Sequence, residues 1–226
     1  VDFDAEHIDM AHGLNFDIAR FGRSASCEPE DGKHGVNRRL PAETAHISVN
    51  YKGFYNIYNI LAAYSAARTG GMKLKQFAQV LQDFNPQNGR MEQFHIGNTD
   101  VILNLAKNPA GFNQNISAVM QDESMKDVII VINDNAQDGT DISWLWDVDF
   151  DRFKGANINS ITVSGIRCQD MRLRMKYVDI TSMLEADVEK AIRERVENGC
   201  GNLYVLVNYT ALFSTRNVLK KMEGEG

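Results

Sequence analysis

The chain has 226 residues, of which 43% are apolar, and this is enough to fill the core of one large or two ordinary domains. Its formal net charge is -6 and its pI is near 5.4, with 24 basic residues scattered along the chain, so nucleic acid is not an expected partner. The longest apolar runs are strand-sized, far below the roughly 20 residues of a membrane span, so we expect no transmembrane segment.

Residues 1–45 are polar and irregular in pattern, and we expect little regular structure there, least of all in the loop-like stretch 27–39. The chain opens without an initiator Met or an apolar signal core, which suggests a fragment of a longer protein. Its cysteines are odd in number and contain no CxxC pair, as expected for a reducing, cytoplasmic location; they are Cys27, Cys168 and Cys200.

Regular structure is predicted from residue 46 onward. The segment HISVNY predicts a strand with Ile47, Val49 and Tyr51 on one side. A helix is predicted over residues 56–69, because two glycines follow it. A second helix is predicted over residues 74–84, and its apolar face comprises Leu74, Phe77, Val80, Leu81 and Phe84.

From residue 98 onward strand and helix alternate, with strands near residues 101–105, 128–133, 161–163 and 203–207 and a helix near 113–121. Near-continuous Val and Ile runs between helices are typical of a parallel sheet covered on both faces. We therefore predict an α/β chain in which residues 97–226 form a Rossmann-like domain with a mainly parallel sheet. Ligands of such sheets bind at the carboxyl ends of the strands.

One segment at such a strand end, residues 134–151, is rich in Asp and contains both tryptophans, Trp144 and Trp146. A solvated acidic loop over packed tryptophans is the simple alternative to a functional role. A calcium loop is excluded, because the DxDxD spacing lacks the required Gly and Glu at its sixth and twelfth positions. A functional role is favoured by Gly139, which permits a tight turn that projects Asp138 and Asp141, while the tryptophans fix this turn from below.

Three other turns carry residues suited to an anionic ligand. Lys107 and Asn108 follow a strand, where Lys can meet a phosphate, although a plain surface lysine is an equal alternative. Arg90 lies in a Gly-containing turn at the predicted domain junction, where Arg can clamp an anionic oxygen. Asn56 and Asn59 open a helix, where an amide can cap the helix or contact a ligand.

Two absences in the sequence limit the chemistry of this chain. All five histidines precede residue 97, so the second domain cannot assemble a Cys-His-Asp triad from its own residues. If Asp141 serves a triad, another chain must supply its other members. The sequence also contains no GxxxxGK(S/T) motif, the usual loop for ATP phosphates.

Six segments occur in an order that resembles the MurT family, the Mur-ligase-like subunits of lipid II isoglutaminyl synthases. They are GFYNIYNILAAYSAA (53–67), NGRMEQF (88–94), LAKNPAGFNQ (105–114), NDNAQDGTDISWLWDVDF (133–150), SGIRCQDMRLRMKY (164–177) and NYTALFSTR (208–216). The resemblance implies a Mur-ligase-like fold. Residues 1–96 would be part of the central ATPase domain without its P-loop, and residues 97–226 would be the carboxyl-terminal domain, with the boundary near residues 92–98.

The resemblance further implies an ATP-dependent carbon–nitrogen ligase acting at the inner face of the membrane. It would amidate the α-carboxyl of D-glutamate in the stem peptide of lipid II, with ammonia from a glutaminase subunit, GatD. ATP and Mg²⁺ are implied, with most Mg²⁺ ligands outside this chain. Many members carry a four-cysteine zinc ribbon, of which Cys27 is the one positional relic, so we do not expect zinc or any metal ligand here.

The resemblance also implies roles for individual residues at the matching positions of this sequence. Asn56 would contact the adenine, Arg90 would reach the ATP phosphates, and Lys107 and Asn108 would lie in a turn that approaches the nucleotide. Asp141 would reach across the subunit interface to orient the catalytic histidine of GatD, with Asp138 as the second candidate for this role.

Two alternatives remain. In the first, the chain is inactive as an isolated fragment and only docks the glutaminase. In the second, the chain belongs to a Mur or folylpolyglutamate type of ligase, which joins an amino acid to its substrate in place of ammonia.

Overall fold

A computed structural model describes residues 2–10, 13–21, 42–49, 54–84 and 89–225. The chain divides into two compact units, Val1–Asn85 and Pro86–Gly226. Each unit has its own apolar core, built from a different set of strands and helices.

The first unit contains a three-stranded antiparallel sheet in the order β1-β2-β3, formed by Asp2–Asp9, Leu14–Phe21 and Glu43–Val49. Leu14, Phe16 and Ile18 alternate along β2 and are fully buried. The prediction that residues 1–45 lack regular structure was therefore wrong for β1 and β2. Their single apolar residues between polar ones are the alternation of a sheet with one buried face. The stretch 27–39 lies outside the described residues.

Two helices complete the first unit, α1 (Tyr55–Thr69) and α2 (Leu74–Gln82), and both were predicted. α1 begins after the N-cap residue Phe54 and ends at Gly70, whose N–H bonds the carbonyl of Ala66. α2 buries Leu74 and Phe77.

The predicted apolar face of α2 was too wide. Val80 and Phe84 are 58% and 53% exposed, because the packed face follows the spacing of Leu74, Phe77 and Leu81. Tyr51, which was predicted to continue the apolar side of the strand before α1, lies outside the described residues. Ile47 and Val49 of that strand are buried as predicted.

The second unit is built on a six-stranded sheet in the order β4-β5-β9-β6-β7-β8. Its strands are Glu92–Ile96, Thr99–Leu105, Asn202–Val207 (β9), Lys126–Val131 (β6), Ile158–Ser164 and Met183–Leu184. Only β4 runs antiparallel, so the predicted mainly parallel α/β sheet is confirmed. The last strand in sequence, β9, lies between β5 and β6 and is almost wholly buried, which is why its sequence is nearly all apolar.

Helices cover both faces of this sheet. One core contains α3 (Pro109–Gln121) and α4 (Cys168–Tyr177), and the other contains α5 (Val188–Glu197) and α6 (Tyr209–Glu225). The segment between β6 and β7 forms three short 3₁₀ turns, Ala136–Asp138, Ser143–Asp147 and Phe150–Gly155. No helix in the described part of the chain is long and apolar enough to cross a membrane.

The division between the units falls before the predicted junction. β4 pairs antiparallel with β5 through Glu92↔Leu103 to Ile96↔Thr99, and it therefore belongs to the sheet of the second unit. The boundary predicted after residue 96 lies beyond this strand. A five-residue edge strand carries only two buried side chains, Phe94 and Ile96, which is too weak a pattern to distinguish it from a linker.

Candidate functional site

Four parallel strands of the second unit end at one edge of the sheet, which we call the carboxyl edge. It consists of the residues that directly follow β5, β6, β7 and β9, namely 106–108, 132–134, 165–167 and 208–210. The turn before β4 joins them, because β4 is antiparallel to β5. Ligands of parallel α/β sheets bind at such an edge.

Two asparagines hold the middle of the carboxyl edge together. The buried Asn208 side chain donates to the carbonyl of Asn133 at 2.7 Å and accepts from its N–H at 3.1 Å. The Asn133 Oδ1 in turn accepts from the N–H of Ile166 at 3.0 Å. These bonds join the ends of β9, β6 and β7, so the loops that leave these strands start from fixed positions.

Gly165 is required next to this pair. Its φ is +86°, and a Cβ there would lie 2.8 Å from both the Oδ1 of Asn133 and the carbonyl oxygen of Ile132. Gly199 also has a positive φ, +76°, but a Cβ there would meet nothing within 4 Å.

We expect Gly165→Ala to lower the free energy of unfolding by about 3 kcal/mol, the sum of backbone strain and overpacking. Gly199→Ala is the matched control and should cost only about 1 to 2 kcal/mol, from backbone strain alone. Urea unfolding of both variants measures the difference. Equal losses would show that the close approach to Asn133 costs nothing.

Asp138 is bound to the start of α6. Its Oδ1 accepts from the N–H of Thr210 at 2.9 Å, and its Oδ2 accepts from the Thr210 hydroxyl. A carboxylate at a helix N-terminus satisfies an N–H that the helix leaves open and interacts favourably with its dipole. Asp138 therefore caps α6, although it precedes Thr210 by 72 residues in the chain. These hydrogen bonds account for the position of Asp138 without a catalytic role.

Asp141 lies on the surface of the same loop in a fixed orientation. Gly139, with φ +76°, makes the tight turn that was predicted, and Asp141 follows it. One carboxylate oxygen accepts from the N–H of Ser143 at 2.7 Å, and the other accepts from its hydroxyl at 3.0 Å. The Ser143 N–H, and then its hydroxyl, hold the pKa of Asp141 below its usual value, so the carboxylate is ionised at neutral pH.

The two tryptophans differ in their environment. Trp144 packs partly buried against Phe112, as expected of a structural floor. Trp146 is 50% exposed and meets the ring of Tyr177 edge to face at 5.1 Å, and Tyr177 is itself 69% exposed. The expectation that both tryptophans support the turn from below therefore fits Trp144, while Trp146 presents an aromatic surface to solvent.

Arg174 is the support that the sequence did not indicate. This arginine of α4 is buried, and its guanidinium donates to the carbonyls of Leu145 and Val148 at 3.1 and 2.9 Å. It also lies over the rings of Trp146 and Phe150 at 5.3 and 5.4 Å. Buried arginines are rare and need such partners, but in the sequence Arg174 is one of several basic residues in the MRLRMKY run.

Lys107 and Asn108 occupy the first loop of the carboxyl edge. The Lys107 ammonium lies 3.8 Å from the centre of the Tyr209 ring, the first residue of α6, and its side chain is exposed. The ring holds the cation near the start of a helix, where an anion is favoured. The Asn108 Oδ1 accepts from the N–H of Gly111 at 2.8 Å and so caps α3.

Arg90 and Asn56 belong to different units. The Arg90 side chain is exposed in the turn before β4, whose Gly89 carbonyl accepts from the N–H of Leu105 at 2.7 Å. This bond places Arg90 at the same edge of the sheet as Lys107. Asn56 lies in the first turn of α1 and accepts from the Asn59 side chain at 3.3 Å, while the N-cap of that helix is Phe54.

The acidic residues of the loop are spread out and bonded individually. Asp134 pairs with Arg167 at 2.9 Å, and Asp149 bonds Asn113 through its N–H at 2.9 Å. Within the described ranges, no group of three or more His, Cys, Asp or Glu residues is placed to hold a metal ion. What the structure places at the carboxyl edge is cations and helix starts.

The fold has known relatives. MurF from Acinetobacter baumannii superposes with a TM-score of 0.70 at 13% identity, over 99% of this chain and 45% of that chain. MurF ligase from Thermotoga maritima in complex with ADP gives a TM-score of 0.61 at 11% identity, over 98% of this chain and 46% of that chain. The chain therefore has the fold of a Mur ligase.

Within that class the chain is similar to MurT subunits. Residues 105–212 match the family model described as MurT ligase C-terminal, and this range holds most of the carboxyl edge and the whole acidic loop. The MurT subunit of lipid II isoglutaminyl synthase (glutamine-hydrolyzing) from Staphylococcus aureus (strain COL) is 36% identical over 71% of this chain. The same subunit from Streptococcus pneumoniae (strain ATCC BAA-255 / R6) is 34% identical over 80%. The chain spans 37% and 41% of the length of these two relatives.

Proposed function

We propose that this chain acts in the ligase subunit of a lipid II isoglutaminyl synthase. It would take part in the ATP-dependent amidation of the D-glutamate α-carboxyl of the stem peptide, on the cytoplasmic side of the membrane. The first unit, Val1–Asn85, would contribute part of the central ATPase domain. The MurT family match and the Mur-ligase fold support this proposal.

The chemistry requires activation of a poor acyl donor. A carboxylate oxygen attacks the γ-phosphorus of ATP, and ADP leaves. Ammonia then attacks the acyl carbon of the acyl phosphate, and inorganic phosphate departs through a negatively charged tetrahedral intermediate. Both steps place negative charge on phosphate oxygens, so the chain needs fixed cations and N–H dipoles nearby.

The carboxyl edge supports this requirement with two exposed cations on neighbouring strands. Lys107 and Arg90 would bind phosphate oxygens, Lys107 from above the Tyr209 ring and Arg90 from the turn fixed to Leu105. Asn108 would shape the loop through its cap on α3, and Asn56 would contact the adenine. Mg²⁺ would accompany the ATP phosphates, with most of its ligands outside this chain.

The observation that carries the proposal is the Asp141 carboxylate, which is ionised, oriented by Ser143 and exposed. The same loop carries the exposed Trp146, whose ring meets that of Tyr177. Exposed aromatic pairs are typical of protein interfaces. Asp141 would orient the catalytic histidine of a glutaminase partner, GatD, whose cysteine attacks glutamine. Asp138 is the weaker candidate, because both its oxygens are bonded to Thr210.

Docking alone is the second candidate function. The Asp141 loop and the aromatic pair are complete within the second unit and need no nucleotide. In that case the chain would bind the glutaminase and complete its active site without any ligase activity. A ligase that joins an amino acid instead of ammonia would need no such partner.

Mixing this chain with the glutaminase tests the proposal. We expect binding by calorimetry and an increase in glutamine hydrolysis over the glutaminase alone. The glutaminase without this chain is the control. Absence of binding would exclude both the ligase-subunit and the docking functions and would favour an amino acid ligase.

A further inference from the structure

The turn that carries Arg90 has a strained backbone. Met91 has φ +53°, a left-handed conformation that is costly for a residue with a Cβ. Gly89 has φ +71°, and a Cβ there would lie 2.4 Å from a methyl carbon of Leu212. Strain of about 1 to 3 kcal/mol per residue persists only where the surroundings hold it, and it is concentrated at functional sites.

A buried amide on β5 holds this strained turn. Asn104 is 3% exposed, and its Oδ1 accepts from the N–H of Met91 at 3.3 Å. Its Nδ2 donates to the Oδ1 of the equally buried Asn115 on α3 at 2.7 Å and lies 3.2 Å from the sulfur of Met91. The neighbouring β5 residues Leu103 and Leu105 are apolar, so Asn104 is a polar interruption in a core strand.

A second connection secures the other side of the turn. One carboxylate oxygen of Glu92 accepts from the N–H of Gly89 at 3.2 Å, and the other accepts from Arg216 of α6 at 2.7 Å. The two side chains are only 13% and 21% exposed. The turn is therefore tied to β5, α3 and α6, while Arg90 itself is exposed.

Stability alone does not account for this arrangement. A buried amide costs free energy unless it is fully bonded, and the Nδ2 of Asn115 has no hydrogen-bond partner among the described residues. An apolar pair at these positions would avoid that cost and the strain at Met91. The arrangement keeps one exposed cation in a fixed place.

We propose that Asn104, braced by Asn115, is a positioning residue that holds the turn so that Arg90 presents its guanidinium to an anionic oxygen at the carboxyl edge. This inference rests on the proposed function, in which that oxygen belongs to an ATP phosphate. Asn104 acts through the turn and touches no ligand.

Hydrogen exchange on this chain tests the structural half of the inference. Asn104→Leu has a similar volume but cannot accept from Met91. We expect the Met91 N–H to exchange at least about 10-fold faster, while the N–H groups of β9 stay protected. Ile116→Ala, which opens a cavity elsewhere on α3, is the control for a general loss of stability. Unchanged exchange at Met91 in Asn104→Leu overturns the inference.

Steady-state kinetics with ATP test the functional half of the inference, that Arg90 contacts an ATP phosphate. They are measured in a longer protein that also contains the P-loop part of the central ATPase domain. We expect Arg90→Ala and Asn104→Leu each to raise the KM for ATP about 10-fold or more, from the loss of one charge-assisted contact. In the double variant Asn104→Leu should add nothing to Arg90→Ala, and Ile116→Ala should leave this KM unchanged. Additive effects contradict the inference. No effect of Arg90→Ala contradicts the proposed phosphate contact instead.

Discussion

Under the proposed function, Asp141→Asn is expected to abolish glutamine hydrolysis when this chain is mixed with the glutaminase. The expected loss is about 10⁴-fold, as when the orienting Asp of a catalytic triad becomes Asn. Amidation driven by added free ammonia should survive in the protein that includes the P-loop half. The measurements are glutamate release from glutamine and ammonia-dependent amidation.

The structure makes this substitution a clean test. Asn can still accept from the N–H of Ser143 through its Oδ1, so the turn is kept while the negative charge is lost. Asp141 is exposed, so little of the fold depends on it.

Asp147→Asn is the matched control for Asp141→Asn. It removes another exposed carboxylate of the same loop and should leave both activities unchanged. Loss of both activities in Asp141→Asn would assign this residue to the ligase site or to folding. Equal effects of the two substitutions would show that the loop needs only its negative charge.

Arg174→Met is expected to lower the free energy of unfolding by about 2 to 4 kcal/mol. Methionine fills a similar space but cannot donate, so the buried carbonyls of Leu145 and Val148 lose their partners, at about 1 to 3 kcal/mol each. Removing a buried charge offsets part of this cost. Chemical denaturation of the purified chain measures the change.

Arg172→Met is the matched control on the same helix. Arg172 is exposed and its loss should change stability by less than about 0.5 kcal/mol. We also expect Arg174→Met to weaken glutaminase binding, because Arg174 supports the carbonyls of the 3₁₀ turn that carries Trp146. Full stability of Arg174→Met would show that water replaces the guanidinium at these carbonyls.

The fold was largely predictable where one residue pattern dominates. The buried strands β5, β6, β7 and β9 and the helices α1, α2 and α3 were predicted close to their observed bounds, because continuous apolar runs and 3.6-residue periods are local signals. β1, β2 and β4 were missed or misassigned. β1 and β4 have few apolar residues, and β2 alternates single apolar residues with polar ones. The identity of each as a strand depends on a partner strand that local sequence does not reveal.

The sequence predicted which loops form the candidate site, but it did not predict how the residues within them are bonded. The tight turn at Gly139 was predicted correctly, and the structure brings Lys107 and the turn of Arg90 to one edge of the sheet. The separate roles of Asp138 and Asp141 were not evident in the sequence. Asp138 caps α6 through Thr210, which follows it by 72 residues, while Asp141 is held by its near neighbour Ser143.

Within the acidic loop of residues 134–151, sequence by itself determined the chemistry that is available. It supplies carboxylates, a glycine turn and two tryptophans, and it excludes a calcium loop and a triad made from the second domain alone. Tertiary structure decided which carboxylate is exposed, which tryptophan is covered, and that the buried Arg174 supports the loop. The reason is physical: burial and hydrogen bonding depend on groups far apart in the chain, and these meet only when β6, β9, α4 and α6 pack together.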